Sequence, residues 1–154
     1  MASRQSILIV VFLSMIIFSC KPIKESGKTS GKSLSEAELI NNTALFIEAK
    51  KDIILGNEDL AIIKLQQCID ENPSNDAACY ELSKILKAKK EYQQALNMAQ
   101  KAVKLDEENN WYLKLLADLF QATGSYEKAT KVFEELVKKE PTNLSYYFVL
   151  SFSW

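Results

Sequence analysis

An all-helical solenoid of stacked antiparallel helix pairs is the fold this sequence predicts. Three observations carry it: a 34-residue period, apolar residues at helical spacing, and glycine and proline where helices must stop. Ala61, Ala95 and Ala129 fall on the period, as do Asn75, Asn109 and Asn143. Gly56 and Gly124 lie two periods apart, as do Pro73 and Pro141, and Tyr92 and Tyr126 lie one apart. A unit of this length holds two amphipathic helices and cannot bury its apolar face alone, so copies stack and share one core.

Residues 42–75, 76–109 and 110–143 form three complete units, and Leu144 opens a fourth that stops midway at Trp154. Within them Ala95, Ala99, Ala102 and Leu105 recur every three or four residues, with Glu91, Lys101 and Lys104 off that face, which is the pattern of a half-buried helix. Val132, Phe133, Leu136 and Val137 make a second such stripe. Gly56 and Gly124 end first helices, where a positive φ is needed, and Pro73 and Pro141 follow second helices that they could not continue. Residues 36–154 show no alternating strand pattern.

The third unit places Leu113, Leu116, Ala117, Phe120, Gly124, Tyr126, Ala129, Phe133 and Pro141 on the signature positions of the tetratricopeptide repeat, which it closely resembles. The second unit keeps Leu82, Ser83, Leu86, Tyr92, Ala95, Ala99 and Ala102, but has Lys90 for the glycine and Glu107 for the proline. The first keeps Leu45, Ala49, Gly56, Ala61, Leu65 and Pro73, yet puts Glu48, Asp52 and Glu58 where the family prefers Leu and Tyr, as suits a water-facing terminal repeat. The resemblance implies a right-handed superhelix, with Ala117 facing Ala129 so that the two helices of a unit approach closely.

At the other end, Arg4 precedes an apolar run from Ile7 to Phe18 broken only by Ser14, and Ser19 and Cys20 follow. A positive start, about a dozen apolar residues and a small residue at the cut describe a signal peptide over 1–19, too short for the roughly 20 residues of a membrane span. Ile17-Phe18-Ser19-Cys20 resembles a bacterial lipobox, which implies lipidation of Cys20 by three acyl chains. One chain binds a membrane only marginally, so three would anchor the protein permanently. Lys21 follows the cysteine and the aspartate of inner-membrane retention is absent, so the resemblance gives an outer-membrane address, facing the periplasm. Residues 20–35 then hold Lys21, Lys24, Lys28, Lys32, Gly27 and Gly31, a solvated tether, and the repeat domain occupies 36–154.

Composition removes several function classes. The formal charge of −1 gives no support to nucleic-acid binding. The chain has no histidine, so no Ser-His-Asp or Cys-His arrangement exists within it, and its 4 glycines form no phosphate-cradling cluster. No cofactor or metal is expected, since Cys68 and Cys79 have neither histidine nor further cysteine partners. Two readings stay open for that pair in an oxidising compartment. They are two small buried hydrophobes, or a disulfide between neighbouring helices, which needs Cα atoms closer than about 7 Å.

By resemblance, partner binding falls on the concave surface made by first helices. Its positions are Phe46, Lys50 and Ile53; Tyr80, Lys84 and Lys87; Trp111, Lys114 and Asp118; then Phe148 and Phe152. Aromatics supply contact area and lysines attract acidic groups, so an extended peptide or helix with acidic and apolar side chains fits. The opposing reading makes some aromatics core and the lysines solubilising. The clamp that grips chaperone tails needs lysine and asparagine where Phe46 and Lys50 stand, which argues against a chaperone adaptor.

Tyr146, Tyr147, Phe148, Phe152 and Trp154 crowd the unfinished helix, which marks either the amino-terminal part of a longer repeat lipoprotein or self-association through 144–154. The expected function is a lipid-anchored scaffold that binds other envelope proteins, in a chain similar to lipoproteins of Bacteroidota. The alternative is a targeting module for an enzyme whose catalytic domain lies beyond Trp154.

Overall fold

The computed structural model describes residues 34–151, and seven helices account for most of them. They are α1 (Glu36–Leu55), α2 (Glu58–Glu71), α3 (Asp76–Ala88), α4 (Tyr92–Leu105), α5 (Asn110–Ala122), α6 (Tyr126–Lys139) and α7 (Leu144–Ser151). No strand occurs among the described residues. The helices pack in chain order: α1 with α2, α3 with α4 and α5 with α6 form pairs, and α2 on α3, α4 on α5 and α6 on α7 join one pair to the next. The result is a tetratricopeptide-like solenoid of antiparallel helix pairs.

The periodic residues are the punctuation of this array. Asn75 and Asn109 are N-caps, their side-chain oxygens accepting from Ala78 N at 2.9 Å and Trp111 N at 3.1 Å, and Asn143 accepts from Ser145 N at 3.3 Å. An asparagine here satisfies one of the amide donors that a helix start leaves unpaired. Ser35, the last residue of the stretch read from the sequence as a tether, is the N-cap of α1. It forms a capping box in which Glu38 N donates to its hydroxyl and its own N–H donates to the Glu38 carboxylate at 2.7 Å.

Each first helix of the three complete pairs ends in one left-handed residue: Gly56 at φ 77°, Lys90 at 62° and Gly124 at 73°. The amide after each reaches back to the same turn, Asn57 N to Asp52 O, Glu91 N to Leu86 O and Ser125 N to Phe120 O, at 2.9, 2.9 and 2.8 Å. This closure consumes a terminal carbonyl, and its geometry, not its sequence, repeats in all three units. Lys90 therefore adopts a conformation that disfavours any residue with a Cβ.

The core follows columns of the period. Ala49, Ser83 and Ala117 face Ala61, Ala95 and Ala129 within the pairs, and all six are at most 2% exposed. Ser83 keeps its hydroxyl satisfied by donating to Ala95 O at 2.8 Å, so a polar atom sits at the closest approach of α3 and α4 without penalty. Leu65, Ala99 and Phe133 form a second buried column.

One expectation for the first unit is corrected. Asp52 does not face water: it is 8% exposed, because Lys64 on α2 swings over it at 2.8 Å and also reaches Glu48 at 3.2 Å. The hydrogen bond from Lys64 holds the Asp52 carboxyl below its ordinary value against the opposing effect of burial. Glu48 and Glu58 remain exposed.

Candidate functional site

The first helices bring most of the expected binding residues onto one side of the stack. Lys50 on α1 donates to Glu81 on α3 at 2.6 Å, and Lys84 meets the other oxygen of Glu81 at 3.1 Å. One unit further on, Lys87 of α3 and Lys114 of α5 converge on Asp118 at 3.0 and 3.2 Å. Two carboxylates thus serve four lysines, and the face carries two positive charges more than it neutralises. All four ammonium-bearing side chains keep at least a third of their surface in water, where such pairs contribute little to stability and exchange partners readily.

The apolar residues of the face divide into two sets. Phe46, Ile53 and Tyr80 are half-buried and pack against the core, so they are in part structural. Trp111 is 70% exposed, which leaves its ring available for contact, and Phe148 is 67% exposed. Tyr80 stacks on Tyr112 at 4.9 Å between ring centroids, with the Lys84 ammonium 5.2 Å from the Tyr80 ring. The Tyr112 hydroxyl donates to Asp76 at 2.8 Å. Burial foremost, then that hydrogen bond, pushes its pKa far up and keeps it a donor, which fastens α5 to α3. Burial, with Glu81 adding to it, also raises Tyr80.

Glu81, Asp76 and Tyr112 escaped the sequence reading. That reading advanced by whole periods, whereas both inter-unit ion pairs join residues 31 apart, one helical turn short of a period. A carboxylate one turn before the expected position was the available signal. Tyr112 was hidden by its neighbour: one residue along a helix turns the side chain by about 100°, from the exposed Trp111 into the α3–α5 contact.

Cys68 and Cys79 are free, buried thiols, and the disulfide considered between them is not formed. Each fills a packing column, Cys68 that of Ala102 and Leu136, Cys79 that of Leu45 and Leu113, so they behave as small core residues. Cys68 Sγ donates to Asn42 O at 3.7 Å, and burial pushes its pKa up to about 11. Among the described residues no group of His, Cys, Asp or Glu is placed to hold a metal, and no helix is long and apolar enough to cross a membrane. The expected signal peptide over 1–19, Cys20, nearly all of the stretch read as a tether, Phe152 and Trp154 lie outside the described residues.

The family profile described as tetratricopeptide repeat matches residues 86–149. No curated protein matches the sequence. Among solved structures, the first tetratricopeptide domain of Spaghetti (RPAP3) bound to the HSP90 peptide SRMEEVD aligns with a TM-score of 0.69 at 20% identity, covering 80% of this chain and 95% of that one. The second such domain of human RPAP3, in complex with the HSP70 peptide SGPTIEEVD, gives 0.68 at 16% identity over 75% of this chain and 97% of that one. MamA from Desulfovibrio magneticus gives 0.66 at 20% identity over 73% and 63%. At such identities the likeness establishes the fold.

Proposed function

We propose that this protein is an interaction scaffold of a bacterial envelope. Lipid at Cys20 holds it to the outer membrane, and the first-helix face receives an extended peptide or helix of a partner protein bearing acidic and apolar side chains. The observation that carries the binding part is the surplus of lysine around Glu81 and Asp118, set beside the exposed ring of Trp111. A partner carboxylate has ammonium groups to meet there that are already desolvated in part, and an apolar side chain has the indole. Two of the similar folds hold acidic peptides, which agrees with this chemistry. The anchor and the periplasmic address rest on the sequence Ile17-Phe18-Ser19-Cys20 and the tether that follows.

The test is crosslinked capture from membranes of cells making the full chain, as wild type and as the triple variant Lys84→Gln, Lys114→Gln and Trp111→Ala. Tyr80 is left intact because it packs on Tyr112. The variant is expected to lose a specific envelope partner while staying in the membrane fraction and keeping its melting temperature within about 2 °C, as surface substitutions do. An unchanged partner set removes the face from the account. A Cys20→Ala variant checks the anchor separately, and persistence of that variant in the outer membrane sinks it.

A further inference from the structure

We propose that α1 carries a second interface, a seam through which two copies of this chain pair along their α1 helices, antiparallel, about a two-fold axis at Ile47. α1 is apolar on both sides. Its inner side, Leu45, Phe46, Ala49 and Ile53, packs on the core, while its outer side presents Ile40, Ile47 and Ile54 at 61%, 62% and 82% exposure. Three large aliphatic side chains one heptad apart form the stripe by which one helix packs along another.

The repeats themselves show what this side is for. Advanced by one and two periods, Ala44, Ile47 and Lys51 become Ala78, Glu81 and Ile85 on α3, and Tyr112, Leu115 and Leu119 on α5, every one of them buried. In α3 and α5 this side is covered by the preceding unit. On α1 it is the outer side and stands exposed.

A preceding unit from the same chain does not fit. The covering second helix would fall one period before α2, at 24–37, where the sequence carries Gly27, Gly31 and three lysines and no large apolar residue before Leu34. The stripe also extends past the ordinary footprint of a unit. Where α3 and α5 have Ala88 and Ala122 at the position of Ile54, and Ser74 and Glu108 precede them at that of Ile40, α1 has isoleucine at both ends, along 20 residues instead of 13. Such a helix is built for another long helix.

The three isoleucines are placed symmetrically about Ile47, which is the condition for a surface to meet its own copy: Ile47 faces Ile47, and Ile40 faces Ile54. Between those layers the small Ala44 lies opposite the Lys50–Lys51 turn and leaves room for the aliphatic stem of Lys51, whose ammonium stays in water.

Cysteines added to the full chain, whose own Cys68 and Cys79 are buried, then oxidised in membranes and read on a non-reducing gel, test the pairing. Ile47→Cys is expected to crosslink to itself, Ile40→Cys alone to stay monomeric, and Ile40→Cys with Ile54→Cys to give dimer. Lys138→Cys, exposed on α6, reports chance collisions. Dimer from Ile47→Cys at least tenfold above Lys138→Cys supports the seam. No excess over Lys138→Cys, self-crosslinking by Ile40→Cys alone, or capture of a different protein by Ile47→Cys overturns it.

Discussion

Lys90→Gly should stabilise the fold, although it removes a side chain and adds no contact. Lys90 sits at φ 62° in a turn whose equivalents, at 77° and 73°, are Gly56 and Gly124. Holding a residue with a Cβ in that region costs about 1–2 kcal/mol, and the extra chain entropy of a glycine offsets about 0.5–1 kcal/mol of the relief. The net gain is about 0.5–1 kcal/mol. The Lys90 side chain is exposed and makes no ion pair among the described residues, so nothing else is lost. For a domain of this size the gain corresponds to a rise of about 2–6 °C in melting temperature, read by circular dichroism at 222 nm. The reverse change isolates the same cause. At Gly124 an added Cβ meets no atom within 4 Å, so Gly124→Ala should cost about 1 kcal/mol through the backbone alone. A neutral or destabilising Lys90→Gly, with Gly124→Ala harmless, would refute the reasoning, since both turns would then tolerate the conformation without strain.

Other outcomes follow from the same contacts. Asn42 is fully buried, donates to Cys68 O at 2.9 Å and accepts from Asn75 Nδ2 at 2.8 Å, so Asn42→Ala should cost about 1–3 kcal/mol in urea unfolding by orphaning both partners. Asp52 has a folded-state pKa depressed by Lys64, so its contribution is present above the ordinary value of 3.8 and is lost as pH falls through the lower folded value. Asp52→Asn should accordingly flatten the acid limb of the stability curve, which thermal melts against pH will show. The Cys68 pKa is raised, so the opposite sign holds. Its contribution is complete below the unfolded value of 9.0, declines as pH rises toward about 11, and native protein should resist thiol labelling that denaturant permits.

Fold class and site were legible in the sequence to different depths. The helix pairs could be read because Gly56, Gly124, Pro73, Pro141 and the three asparagines are local signals, each acting within one turn of chain. Lys90 shows the limit of such signals: the turn it occupies is enforced by the packing of α3 on α4, which overrides a residue that disfavours it. The face was read in outline, since lysine and aromatic residues recur by unit, but the pairing of Lys50 with Glu81 depends on how far one helix slides along the next, and that offset has no local signature. Asp52 misled for a related reason. A carboxylate looks solvent-facing until a lysine on the neighbouring helix is seen to cover it.

The central claim, that the first-helix face receives a protein partner, is tested most directly by photocrosslinking in living cells from position 111, with position 126 on the second-helix side of the same unit as reference. Trp111 and Tyr126 are exposed to 70% and 64%, so accessibility is matched. The account predicts a discrete adduct from 111 that is absent from 126 and is lost when Lys84 and Lys114 are changed to glutamine. An adduct from 126 alone, or one from 111 indifferent to those lysines, would contradict it.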